Sequence, residues 1–216
     1  MTGSGSASVL EIRDVADGLW LWRQPHPDWN ERLEWEPAVS SFAAETGGEV
    51  ILIDAIAPPP REREFWSRLE VTKPTVAVVT KPDHVRDVDL FVRWYGVRAY
   101  GPDVFFRTDV PKTELEWLKA DDELPGGARA LHDFRFGRET PIYLPEQAAL
   151  VFGDALTSLG GELQVWWTPW FDERTIPAMR SFLELSFEHV LVSHGQPVHT
   201  RADFETALER PPWGTP

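Results

Sequence analysis

The chain contains no cysteine in 216 residues. Disulfides, thiolate metal ligands and cysteine nucleophiles are thereby excluded, and a reducing cytoplasm is the expected location. No apolar run approaches the roughly 20 residues needed to cross a bilayer, so no transmembrane helix is expected. Positive charge is scarce: 21 Lys and Arg stand against 35 Asp and Glu, for a net charge of -14. Binding nucleic acid or an anionic membrane surface requires clustered cations, so neither is an expected partner. The chain also lacks a glycine-rich phosphate loop and a Gly-x-Ser-x-Gly elbow, which leaves P-loop and serine-hydrolase chemistry without support.

What is present suffices for a full core, since 42% of the residues are hydrophobic. The opening Met1-Thr2-Gly3-Ser4-Gly5-Ser6-Ala7-Ser8 reads as a flexible leader, and residues 9–216 as one domain. Eleven tryptophans are many for this length and can serve core, ligand wall or interface, including contacts within a homo-oligomer.

Period and punctuation place the elements. Val9–Arg13 and Gly18–Trp22 read as strands joined through Asp17-Gly18, and Ser40–Glu45 and Glu49–Asp54 as strands joined by Thr46-Gly47-Gly48. Arg61–Leu69 carries a helical pattern, followed by a strand at Thr75–Thr80, a helix near Asp87–Trp94 and a strand at Val97–Tyr100. Residues 102–124 show no clear period and read as loop with room for a short helix. Ala128–Phe134, Thr140–Leu144 and Ala149–Gly153 read as strands. Pro177–Phe187 follows as an amphipathic helix, His189–Ser193 as a buried strand and Arg201–Glu209 as a closing helix. Two packed sheets with helices outside satisfy this α/β order.

Four segments carry a family resemblance: Ser41-Phe42 before Glu49–Asp54, the loop Thr80–Arg86, Tyr143–Glu146 through Leu150–Leu156, and Val192-Ser193-His194-Gly195-Gln196-Pro197-Val198. In order and spacing they resemble the metallo-β-lactamase-fold hydrolases over about residues 15–198. The resemblance implies a four-layer αββα sandwich with its active site at one edge, between the sheets. It also implies a metal-binding loop, Thr-His-x-His-x-Asp-His, after the strand at Thr75–Thr80.

The loop here departs from that pattern. Aligned without a gap, Lys81 and Asp83 stand at the first two histidines, Val85 at the aspartate and Arg86 at the last histidine, while Arg135 falls at a further one. Asp154 and His194 match the remaining ligands. Lysine and arginine at neutral pH offer no lone pair and repel a cation. The expectation is therefore an ionic cluster, in which Lys81, Arg86 and Arg135 pair with Asp83 and Asp154 and no metal cofactor is held. In this frame His84 occupies a spacer position facing away from the metal, as a hydrogen-bonded loop residue; the functional alternative is a shifted ligand or a general base beside Asp154.

The leading functional expectation is a non-hydrolytic ligand-binding, regulatory or scaffold protein that takes a small apolar or anionic molecule in the former cleft. The alternative is a hydrolase of an ester, thioester or lactone bond, with zinc or iron on Asp83, His84, Asp154 and His194. A third reading is metal-free acid–base catalysis by His194 with Asp154, or by Lys81 with a lowered pKa. His26 in the loop Pro25–Trp29 reads as a solvated histidine or a substrate-flanking one. Trp167, beside Trp166 and near Trp170, reads as core or as ligand wall, and Trp20, Trp22, Trp29 and Trp35 raise the same question of an aromatic mouth.

Overall fold

The computed structural model describes residues 10–33, 35–131 and 139–214. The first sheet begins with two hairpins. β1 (Glu11–Ala16) and β2 (Leu19–Pro25) pair antiparallel, and β3 (Ala38–Thr46) and β4 (Glu49–Ile53) follow. Thr46 pairs with Glu49, so the β3–β4 loop is the two glycines alone. Both have positive φ, +52° at Gly47 and +79° at Gly48, as a primed hairpin turn requires and a side chain would resist. β4 then pairs in parallel with β5 (Val76–Val78), reached through helix α1 (Arg63–Thr72). β6 (Arg98–Gly101), reached through α2 (Val88–Tyr95), and β7 (Glu116–Trp117) complete a sheet of order β1-β2-β3-β4-β5-β6-β7.

The second sheet contains β8 (Arg129–Ala130), β9 (Ile142–Leu144), β10 (Ala149–Phe152), β13 (His189–Val192) and β14 (Val198–Thr200), in the order β14-β13-β10-β9-β8. A small hairpin of β11 (Leu156–Thr157) and β12 (Gln164–Val165) leaves its edge. Helix α3 (Ile176–Ser181) and helix α4 (Arg201–Ala207) lie in the C-terminal part. Thr200 opens α4 with a capping box, accepting from the Asp203 amide while Asp203 accepts from the Thr200 amide.

Strand alternation explains the layers. In β2, Leu19 and Leu21 face the second sheet, where they join Phe42, Ile53, Ile142, Leu144, Val151 and Leu191. Trp20 and Trp22, on the opposite face, pack with Leu52, Phe65, Leu69 and Phe91 beneath α1 and α2. The outer face of the second sheet packs Leu150, Phe152 and Val192 against Met179 and Phe204 of α3 and α4. Three apolar layers between four layers of structure make an αββα sandwich, as the sequence predicts.

Four expectations can be set against the structure. Residues 102–124 hold the strand β7 and no α-helix. The single helix expected over 177–187 is broken. A π-helical turn at Phe171–Thr175 enters α3, a 3₁₀ turn at Phe182–Glu184 leaves it, and Leu185 is extended. From Leu185 the chain runs out to β13, with Phe187 buried edge-on against Phe204. The strand expected at 128–134 is observed for Arg129–Ala130, and its remainder lies mostly outside the described residues. Trp20 and Trp22 are fully buried core residues and line no mouth.

Candidate functional site

Strand ends from both sheets deliver the site. β4 leads into Asp54, β5 through Val79 into Thr80, β10 into Gly153-Asp154 and β13 into Ser193-His194. Asp54, at φ +47°, accepts from the Thr80 amide (2.8 Å) and hydroxyl (2.6 Å) and contacts His84 Nδ1 at 2.8 Å. Gly153 must be glycine here, because a Cβ would lie 2.8 Å from Thr80 Oγ1 and 3.1 Å from His84. The loop between Thr80 and α2 is thus clamped against the floor of the cleft.

Asp154 is the hub. Its Oδ2 receives the Lys81 ammonium directly, and Lys81 also lies 3.0 Å from Asp83. Its Oδ1 lies 3.3 Å from His84 Nε2 and 3.2 Å from His194 Nε2. Those nitrogens are close enough to attract the carboxylate, yet they are not aligned as hydrogen bonds. Among the described residues Oδ1 has no other partner, and the buried His194 Nδ1 has none.

The charges act on one another. Burial opposes the charge of Lys81, but Asp154 and Asp83 outweigh it and raise its pKa above the usual lysine range. A lysine so held is a fixed cation, which removes the reading of Lys81 as a base of lowered pKa. Burial and Arg86 work against protonation of His84, yet Asp154 and Asp54 prevail and push it up to about 9. Burial likewise opposes the charge of Asp154, but Lys81 and His84 hold it well below the carboxylate range. The cations Lys81, His84 and Arg86 face the carboxylates Asp54, Asp83 and Asp154, with a further acidic residue, Glu139, behind them.

His84 differs from expectation. It faces Asp154 and does not point away, because the loop is clamped through Asp54. Val85, assigned a ligand position by the gapless alignment, is buried in the core beneath α1 and α2. Matching Asp83-His84 to the Asp-His at the end of the pattern, with a loop two residues shorter, restores the correspondence. Arg86 also differs. With φ +46°, it sends its guanidinium to the carbonyls of Ser40 (2.9 Å) and Asp54 and to Ser193 Oγ (3.4 Å), and to neither Asp83 nor Asp154. Arg135 lies outside the described residues.

Glu139 carries no motif that marks it as a site residue. It is buried, and its carboxylate accepts from three successive amides, Gly153 (2.7 Å), Asp154 (2.6 Å) and Ala155 (2.7 Å). Burial and the neighbouring Asp154 push its pKa up to about 7 against the opposing Lys81 and amide donors. The effect is to fix the backbone that carries Asp154.

A cleft of about 440 Å³ opens over this floor, lined by Trp35, Trp166 and Trp167 together with Lys81, Asp83, Asp154 and His194. Trp167 is a wall residue, only partly buried, and Trp35 packs edge-on against His194 at 5.1 Å between ring centroids. His26 is half-buried, stacks edge-on with Trp35 at 5.5 Å and lines a neighbouring cavity with Arg86, so it is not a freely solvated loop histidine. Burial and Arg86 lower its pKa.

Over nearly its whole length the chain is similar to solved metallo-β-lactamases. FIM-1 from Pseudomonas aeruginosa, in its mono-zinc form, has 18% identity and a TM-score of 0.66, over 94% of this chain and 95% of that one. DIM-1 exposed to ceftazidime has 16% identity and a TM-score of 0.67, over 93% and 96%. The metallo-β-lactamase from Pontibacter korlensis has 18% identity and a TM-score of 0.60, over 94% and 100%. No protein-family model and no curated protein matches the chain. At such identities the likeness is one of fold.

Fold and strand-end site together define a protein of the metallo-β-lactamase fold. Its particular form is one with a reduced metal-binding cluster, His84, Asp154 and His194, in place of the family's full ligand set. Two metal ions do not fit these residues, because Lys81 occupies one face of Asp154 and Val85 and Arg86 offer no donor. One ion does fit. A tetrahedral zinc with ligands at about 2.0–2.1 Å spaces them roughly 3.4 Å apart, close to the separations at Asp154 Oδ1. The Asp54 carboxylate on His84 Nδ1 also leaves Nε2 turned toward the site, as metal-bound histidines require.

Proposed function

We propose that this protein is a non-hydrolytic, ligand-binding member of the fold, in which a salt-bridged lysine takes the place of a dinuclear metal centre. The observation that carries this reading is the Lys81 ammonium seated on Asp154 and anchored again by Asp83. A dinuclear hydrolase needs a carboxylate free to hold metal and an open position for the attacking water. Here one carboxylate oxygen is already neutralised by a side chain whose charge does not titrate near neutral pH. The cleft above keeps the volume and aromatic lining of a small-molecule site.

The test is metal content together with turnover. Protein purified without chelator is expected to carry well under one equivalent of zinc, iron or manganese. It is also expected to leave ester, thioester and lactone substrates intact after metal addition. One equivalent of metal with chelator-sensitive hydrolysis would overturn the proposal.

A second reading rests on the unpartnered Asp154 Oδ1 between two histidine nitrogens. His84, Asp154 and His194 would hold a single ion, which when bound supplies Lewis acidity and lowers the pKa of a coordinated water. Lys81 would then serve as a fixed positive charge beside that position. The same measurements separate the two readings.

A further inference from the structure

The walls of the cleft, unlike its floor, carry no balancing partner. Trp166 and Trp167 line it from the segment after β12, and Trp35 closes it from the loop before β3. Among the described residues neither the Trp166 nor the Trp167 ring packs against another aromatic ring. The core indoles behave differently: Trp20 lies 5.2 Å from Trp22, and Trp22 lies 4.9 Å from Phe65. Two large apolar rings are thus only partly buried and line the cleft.

An indole face carries negative quadrupole density, attracts a cation and disfavours an anion. The floor does not reverse this preference. Lys81 is 12% exposed and already holds Asp154 and Asp83, so an incoming anion meets two carboxylates around one ammonium. Asp83, at 39%, is the most exposed charged side chain of that cluster, and Asp154 follows at 24%. Arg86 spends its guanidinium on carbonyls behind the loop. The most exposed charged side chain lining the cleft is therefore acidic, within a protein whose net charge of -14 concentrates cations around it.

We infer that the cleft takes an organic cation, a quaternary or aromatic ammonium compound, whose charged group sits against the Trp166 and Trp167 indoles with Asp83 as its counter-charge. This inference rests on the ligand-binding reading above and puts a cation in place of the apolar or anionic molecule expected from the sequence.

Three probes of similar size and different charge test it: benzyltrimethylammonium, benzyl alcohol and benzylsulfonate, followed by calorimetry and tryptophan fluorescence. The cation is expected to bind at least ten-fold more tightly than either of the others. Trp167→Ala and Asp83→Asn should each weaken that binding by about ten-fold, the scale of a desolvated cation–π contact. Trp94→Ala, at an exposed position on α2 outside this cleft, should leave it unchanged. Asp83→Asn is close in shape to the parent and half open to solvent, so it reports even if Trp167→Ala fails to fold. Benzylsulfonate binding as tightly as the cation, with loss in Trp167→Ala, would overturn the cation while leaving the cleft a ligand site. Failure of all three probes to bind would overturn the inference, and metal-dependent hydrolysis beside that failure would overturn the ligand-binding reading as well.

Discussion

Replacing Lys81 by methionine tests the central ion pair, since it keeps most of the side-chain stem and removes only the ammonium. Two consequences follow from the geometry. Without Lys81, Asp154 Oδ2 loses its partner inside a largely buried cluster, and breaking one side of a buried pair costs roughly 3–5 kcal/mol. His84 and His194 remain beside Oδ1 and offset part of that, so a loss near 3 kcal/mol is expected. The second consequence concerns metal. A cation bound at Oδ1 would lie within roughly 5 Å of the Lys81 ammonium. At an effective dielectric of about 20, unit charges 4 Å apart repel by about 4 kcal/mol, and a dication by about twice that. Relaxation and solvent reduce the figure, yet a hundred-fold gain in zinc affinity, about 2.7 kcal/mol, is a conservative expectation. Urea denaturation of metal-free protein and zinc calorimetry read the two effects, with Lys81→Arg as the variant that retains the charge. Equal zinc affinity in wild type and Lys81→Met would refute the argument that Lys81 excludes a metal ion.

Proton linkage provides a second test. The folded pKa of His84 lies above its ordinary value of 6.5, so its contribution is full below pH 6.5 and is lost as pH rises through about 9. Glu139 adds a loss between about 4.5 and 7, while depressed Asp154 loses its contribution as pH falls through the ordinary carboxylate range. Thermal unfolding should therefore peak in mildly acidic buffer and decline from pH 6.5 to 9, and a flat or rising profile there would contradict these assignments. Glu139→Ala strands three amide donors and should destabilise the fold by about 3 kcal/mol or more in denaturant titration, a loss that Glu139→Asp would recover only if the shorter carboxylate still reached them. Gly153→Ala drives a methyl into Thr80 and His84 and should cost about 1–3 kcal/mol by the same measurement.

The sequence showed the frame of the molecule more clearly than its site. Leu19, Trp20, Leu21 and Trp22 are all apolar, yet alternation still assigns them to two different layers. Gly47-Gly48 marks a hairpin because two adjacent positive φ values suit little else. The loop after β5 was misread for a physical reason. Counting without a gap treated Val85 as a ligand position, whereas burial under α1 claims Val85 for the core and leaves His84 to face Asp154. Glu139 was invisible because a lone acidic residue in a loop signals solvent. Its burial depends on three amides of the turn after β10, a contact across 14 to 16 residues that no local pattern encodes. The break after α3 was hidden similarly, since the sequence around Leu185 is compatible with helix and only the route to β13 pulls it straight.

The ammonium on Asp154 has one property no dissociable ion shares: the backbone tethers it. Its occupancy is one per chain from the moment the loop folds, whatever the supply of zinc or the presence of a chelator. Dilution cannot empty the position, and no delivery system is needed to fill it. Only covalent chemistry on the lysine itself, such as acetylation, would remove the charge, so the inorganic economy of the cell has no hold on this position.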